Sequence, residues 1–149
     1  MNNLVRSFEF QKTYLFDHST KRNFNESIAF CEQHDAKLIQ VGSEAEFNFL
    51  NSFLPAIYYY IGVVPTWNSL PTHYPDGSKI DLSWQVWYRR SANSRTIYYV
   101  NTIRQWATWH DNHRDDGSMT VCQKPIQITL ADVQLKVINL YKTISLGVD

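Results

Sequence analysis

Trp87, Tyr88, Arg89, Arg90 and Arg95 put two aromatic rings and three guanidiniums into one short stretch. A guanidinium offers a planar fork of donors that matches a carboxylate, sulfate or phosphate, and Trp, Tyr and Arg are the usual anchors of protein interfaces. Their chemistry is recognition. The rival reading makes Trp84 and Trp87 loop core and the arginines solubilising charge. Further on, Trp106-Ala107-Thr108-Trp109-His110-Asp111-Asn112 reads as a buried strand delivering polar side chains to an exposed edge. His110, Asp111, His113 and Asp115 cluster there, and His110-x-x-His113 resembles a transition-metal pair. On a strand running into a loop, positions 110 and 113 face opposite ways, and no Glu or Cys completes a ligand set. No cofactor is therefore expected. Ser118 has no identifiable base, so no activated nucleophile emerges either. The expectation is a binding protein, not an enzyme.

The elements that position these residues follow from local pattern. Phe8-Glu9-Phe10 and Thr13-Tyr14-Leu15-Phe16 read as short strands, with a turn over Asp17-His18-Ser19-Thr20-Lys21. Asn23 with Glu26 forms a capping-box signature, and Phe24, Ile28 and Cys31 at i, i+4, i+7 point one helical face, Cys31 included, toward the core. Lys37 to Val41 is extended. Ser43 with Glu46 repeats the signature and opens a helix to about Leu54, with Phe49, Leu50, Phe53 and Leu54 as its apolar stripe and Pro55 as its stop. Tyr58 to Val63 is an aromatic, β-branched strand. From Pro65 to Thr96 prolines, Asp76-Gly77, Asn93 and serines punctuate a long loop, with only Leu82 to Tyr88 strand-like; such loops tend to be functional. Ile97 to Val100, Gln105 to Trp109 and Ser118 to Gln123 supply three more strands.

Composition narrows the function classes. A chain of 149 residues is long enough to bury a core in one domain, and 44% apolar with 15% aromatic residues excludes a disordered chain. Fourteen Lys and Arg balance fourteen Asp and Glu, which argues against nucleic acid or an anionic membrane as partner. No apolar run approaches the ~20 residues of a membrane span, so membrane insertion is not expected. Met1 to Arg6 is no signal peptide. Two cysteines, Cys31 and Cys122, do not by number fix the redox compartment.

Taken in order, the pieces resemble the C-type lectin-like domain over roughly Phe10 to Pro125. Phe24 through Cys31 matches the helix with the family's first cysteine, followed by Ala36-Lys37-Leu38 and the Ser43 helix. Tyr60-Ile61-Gly62-Val63 stands for the WIGL strand, Tyr74-Pro75-Asp76-Gly77 for the W-x-D-G turn and Ser83-Trp84 for N-W. Trp109-His110-Asp111 looks like the WND segment, and Val121-Cys122 like the closing cysteine. The resemblance implies an α+β fold of two helices flanking small antiparallel sheets with a long loop region. It implies a Cys31 to Cys122 bridge and an extracellular setting, secreted or at a cell surface. The family's usual second bridge is missing: Arg114 occupies one expected cysteine position and Tyr99 or Val100 the other. Asn25-Glu26-Ser27 is a glycosylation sequon compatible with secretion, or a chance triplet.

In this family calcium is held by oxygens from an EPN or QPD triplet and from the Asn and Asp of WND, as a hard ion requires. Here Gln85 to Ile97 holds no Asp, Glu or Pro, and Asn93 is the only remotely suitable ligand. His110 replaces the Asn with an imidazole, so of the motif only Asp111 remains. Asp115 and Asp116 are the other conceivable donors, but with Gly117 they read as a solvated turn. The expectation is calcium-independent recognition through the loop from about Pro65 to Thr96 and the adjoining His110 to Asp116. The expected ligand is a protein, because net charge near zero disfavours a polyanion; the alternative is a carbohydrate, as a sulfated glycan on the arginines or a sugar on an unrecognised calcium site.

The domain is expected over residues 1–125, with 126–149 an extension that could equally begin a following region. Leu130, Val133, Val137, Leu140 and Ile144 follow 3-4-3-4 spacing, Thr129 can cap with Asp132, and Gly147 is a fitting stop. That predicts a helix suited to docking or to self-association through residues 130–146. Alternation in Ile126 to Leu130 and Val133, Leu135, Val137 favours a strand instead; the helix is the preferred reading.

Overall fold

The computed structural model describes residues 2–54, 58–62, 73–79, 87–89, 96–100, 105–109 and 118–145. Strand β1 (Asn2–Ser7) pairs antiparallel with β2 (Lys12–Arg22) from Asn2 opposite Asp17 to Ser7 opposite Lys12. Two sequence expectations fail here. Phe8 to Gln11 forms the hairpin turn, with Gln11 at φ 53°, rather than a strand. Strand β2 continues through the turn expected at Asp17 to Lys21. The turn chemistry is nevertheless present. Asp17 accepts from the Ser19 N–H at 2.9 Å and from Arg22 Nη1 at 2.8 Å, and the register against the neighbouring strand shifts between Asp17 and Arg22. A bulge absorbs those local hydrogen bonds, and the strand resumes beyond it.

Helix α1 (Phe24–Gln33) starts on the expected capping box: the Asn23 side chain accepts from the Glu26 N–H, and Glu26 accepts from the Asn23 N–H. It buries Phe24, Ser27, Phe30 and Cys31, while Ile28 is only partly covered. Strand β3 (Lys37–Leu38) leads to helix α2 (Glu44–Asn51), which ends short of Leu54. Ser43 caps the Glu46 N–H as expected, but Glu46 does not close the box. It turns inward, accepting from the Gly42 N–H at 2.8 Å and from the Tyr14 hydroxyl at 2.5 Å, with Lys12 Nζ 2.9 Å away. A buried carboxylate needs such partners. Burial, then the bond to Glu46, raises the Tyr14 phenol well above the usual tyrosine range.

Strand β8 (Ser118–Pro125) is the spine. It pairs antiparallel with β2 and β3, and Leu15 and Leu38 lie opposite Cys122. Cys122 is bonded to Cys31 with 5.6 Å between Cα atoms, so the expected bridge joins α1 to β8. Beneath it Leu15, Phe24, Phe30, Leu38 and Tyr60 form one core cluster; Tyr14, Ile39, Leu50, Tyr59, Ile61 and Val121 belong to a second.

Strands β4 (Tyr58–Ile61), β5 (Trp87–Arg89), β6 (Thr96–Val100) and β7 (Gln105–Trp109) extend the sheet, in the order β1-β2-β8-β4-β6-β7-β5. The fold is α+β, as expected. Helix α3 (Leu130–Ser145) settles the tail as helix, capped by Thr129 with Asp132. Among the described residues no helix is long and apolar enough to cross a membrane.

Candidate functional site

Sheet register brings the expected binding segments together. Strand β6 runs antiparallel to β7 with Thr96 opposite Trp109, so the start of β6 and the end of β7 lie at one end of the sheet. Strand β5 runs parallel to β7, Trp87 beside Trp106 and Arg89 beside Ala107, so β5 finishes toward that end too. Ile61, last in β4, lies opposite Ile97. Hence Trp87, Tyr88 and Arg89 sit on the sheet's outermost strand, and Arg89, Thr96 and Trp109 end up near one another although 20 residues separate the first from the last.

The remaining candidates fall outside the described residues. Arg90 follows Arg89 in the chain, Arg95 precedes Thr96, and His110 and Asp111 follow Trp109. Asn93, Asp115 and Asp116 lie outside as well. Among the described residues no group of three or more His, Cys, Asp or Glu is placed to hold a metal ion.

The floor under this end is built closely. Gly62 donates to the Ile39 carbonyl at 2.8 Å, and a Cβ at position 62 would come within 2.6 Å of the Leu38 carbonyl oxygen. Only glycine permits that approach. The turn expected at Tyr74 to Gly77 forms: Gly77, at φ 90°, donates to the Tyr74 carbonyl, and the buried Tyr74 hydroxyl donates to the Val41 carbonyl at 3.0 Å. Asp76 accepts from Ser78 and pairs with Lys37 at 2.5 Å. The Lys37 bond, then Ser78, holds the Asp76 carboxyl well below the usual carboxylate range.

Between these parts lies an open groove of about 430 Å³, with Phe24, Ile28, Leu38, Gly62 and Pro75 on its walls and the Lys37–Asp76 pair beside them. Sequence reasoning did not single it out. Both charged residues stand within motif pieces it quoted, but nothing local to either says that they meet. Because Gly62 follows Ile61 directly, the groove adjoins the sheet end that gathers Arg89, Thr96 and Trp109. On the other flank, Asn25 of the sequon is exposed on α1, whereas Ser27 is buried with its hydroxyl 3.2 Å from that of Thr120.

Comparison with known proteins gives a consistent family. The profile described as lectin C-type domain matches residues 20–124. No curated protein matches the chain. Among solved structures, the C-type lectin domain of murine dendritic cell inhibitory receptor 2 in complex with N-glycan superposes with a TM-score of 0.67 at 22% identity, covering 82% of this chain and 95% of that one. The Ca2+-independent C-type lectin SPL-2 from Saxidomus purpuratus reaches a TM-score of 0.61 at 25% identity over 76% of this chain and 86% of its own. A complex of SPL-1 with GlcNAc reaches 0.57 at 27% identity, over 76% and 88%.

Proposed function

Since the chain belongs to the C-type lectin domain family, we propose that residues 1–125 form an extracellular recognition module that binds its ligand without calcium at the sheet end formed by β5, β6 and β7. The observation that carries this reading is the register: Arg89 beside Ala107 and Thr96 opposite Trp109 bring three successive aromatic-rich strands, with Arg89 closing the first, to one sheet end. The disulfide-locked sheet supplies rigidity, which lowers the ordering cost of binding. A structural disulfide suits an oxidising, extracellular setting, and exposed Asn25 is a candidate glycosylation position there.

Calcium chemistry does not fit the donor set. The stretch from Gln85 to Ile97 holds no carboxylate, and His110 stands where the family's sugar-binding members use Asn. No step of recognition is assigned to the ion. SPL-2 is itself described as Ca2+-independent and SPL-1 as a GlcNAc complex, at 25% and 27% identity. These relatives move the weight from the protein ligand expected from charge toward a glycan, with Trp87 and Tyr88 as stacking surfaces and Arg89, Arg90 and Arg95 as donors. The protein reading stays second, favoured by that same Trp, Tyr and Arg content, typical of interface anchors.

A glycan array probed in EDTA, with N-glycans and GlcNAc-terminated glycans among the probes, tests both points. Binding should persist in chelator, and the double variant Arg89→Glu with Arg90→Glu should lose it with an unchanged melting temperature. Binding that requires calcium, or that survives the double substitution, refutes the site. An array blank, combined with capture of a folded protein ligand that the same variant loses, would establish the second reading.

A further inference from the structure

Helix α3 is 16 residues long and none of them is buried. Leu130, Val133, Val137, Leu140 and Ile144 are 50 to 73% exposed, and their 3-4-3-4 spacing lines them up on one face, with Tyr141 alongside at 70%. The helix does not lay this face on its own domain. Its first turn is fixed through Asp132, off the seam: Arg6 forks onto Asp132, with Nη2 3.1 Å from Oδ1, and also donates to the Gln127 carbonyl at 3.0 Å. An open groove of about 610 Å³ separates Phe8 and Ile128 from this flank of the helix, and Val133 and Val137 of the seam line it together with Asp132 and Lys136. The groove stays open, and all five seam residues keep half or more of their surface exposed.

The seam's own chemistry specifies its cover. With Leu130, Val137 and Ile144 at a positions and Val133 and Leu140 at d, β-branched residues hold two of the three a positions and Leu one of the two d positions. That distribution favours two parallel strands. In a parallel pair the g residue of one helix faces the following e residue of the other, which sets Lys136 against Tyr141 of a second copy, a cation over an aromatic ring. The flanking residues Gln134, Lys136, Tyr141 and Thr143 oppose no like charges. The exposed seam with Tyr141 offers on the order of 700 Å² per copy, close to the ~800 Å² per partner of a standard interface. Sixteen residues are short for a free-standing coiled coil, but the Arg6 fork and the Thr129–Asp132 cap hold the first turn formed and so lessen the nucleation cost. The polar face carries only Asp132, Lys136 and Lys142, too little charge for the usual membrane-surface helix.

We infer that α3 is a dimerisation element, pairing seam to seam and in parallel with α3 of a second copy of this chain. Two recognition domains then sit at the same end of the pair, and a surface with repeated ligands is held bivalently.

Sedimentation equilibrium of the full chain over a range of concentrations tests this. Wild type should be a dimer. The variant Val137→Glu with Leu140→Glu should be a monomer with unchanged near-ultraviolet circular dichroism, whereas Leu135→Glu, equally exposed but off the seam, should remain dimeric. A wild-type monomer at every concentration overturns the inference, as does a dimer that survives the seam substitutions or dissociates with Leu135→Glu. Monomeric wild type that pellets with phosphatidylserine vesicles would assign the face to a membrane surface instead. Leu140→Cys checks orientation: facing d positions should oxidise to a linked dimer, and failure to link refutes the parallel arrangement.

Discussion

Helices α1 and α3 are written with the same local grammar and end in opposite environments. Each opens on a side-chain cap closed by an acid three residues on, Asn23 with Glu26 and Thr129 with Asp132, and each carries an apolar stripe. Helix α1 buries Phe24, Ser27, Phe30 and Cys31 against β2, β3 and β8, while α3 buries nothing. Capping and periodicity therefore decide that a helix forms, and the partner decides what the helix is for. Helix α1 has a covalent partner in β8 within its own chain. On the inference above, the partner of α3 is another chain. Perturbing α1 should accordingly change the stability of the domain, and perturbing α3 should change association alone.

The strongest test of that contrast is the bridge. Joint replacement of Cys31 and Cys122 by alanine releases a loop spanning 91 residues, a loss of roughly 4 to 5 kcal/mol by chain entropy. Denaturant unfolding of the variant should show that loss; removal of residues 130–149 should leave the denaturation midpoint of the domain where it was. A midpoint that falls with the truncation would mean that α3 belongs to the folding unit after all.

Each helix also has an Arg–Asp pair near its entry, which allows a second comparison. Asp17 is 3% exposed; burial opposes its charge, but hydrogen bonds from Ser19 and Arg22 outweigh that and lower its pKa to about 2. A carboxyl depressed from 3.8 to about 2 on folding stabilises fully above pH 4, and that contribution fades as the pH falls to 2. Its size is about 2 kcal/mol. The Arg6 bond likewise holds Asp132 well below the usual carboxylate range, but that pair is open to solvent. Asp17→Asn should therefore be less stable than wild type at neutral pH and converge with it near pH 2. Asp132→Asn should follow the wild-type acid profile of the domain throughout. Parallel acid curves for wild type and Asp17→Asn would remove Asp17 from the account.

What the sequence made legible was whatever depends on neighbours along the chain. The box at Asn23, the cap at Ser43, the bounds of β7 and the turn through Gly77 all formed as read. The bridge came from the order of motifs rather than from either cysteine alone. Misreadings arose where distant contacts compete with local preference. Phe8 and Phe10 have strand propensity, but pairing of Asn2–Ser7 with β2 makes them a turn. Glu46 suits a capping box, but the buried hydroxyl of Tyr14 and the ammonium of Lys12 claim it. Lys37 and Asp76, 39 residues apart, meet where the turn through Gly77 is docked by the Tyr74 hydroxyl on the Val41 carbonyl. For the site, the sequence supplied the residue types and register supplied their meeting at one sheet end; Arg90, Arg95, His110 and Asp111 stay proposals beyond the described residues.

The smallest expected effect separates the two helices most directly, because the same kind of bond is removed from each. Asn23→Ala deletes the acceptor for the Glu26 N–H, and loss of an N-cap typically costs about 1 kcal/mol. Since α1 is tied to the core through Cys31 and Phe30, that cost should appear in the global transition as a melting temperature lower by a few degrees. Thr129→Ala deletes the acceptor for the Asp132 N–H and frays the first turn of α3. None of α3 is buried, so the domain should melt at the wild-type temperature. Because each dimer carries two such caps, ~1 kcal/mol per copy should instead appear in association, as a dissociation constant weaker by roughly thirtyfold in sedimentation. Equal shifts in melting temperature for the two variants would show that α3 folds with the domain, and the difference in burial between the helices would then carry no functional meaning.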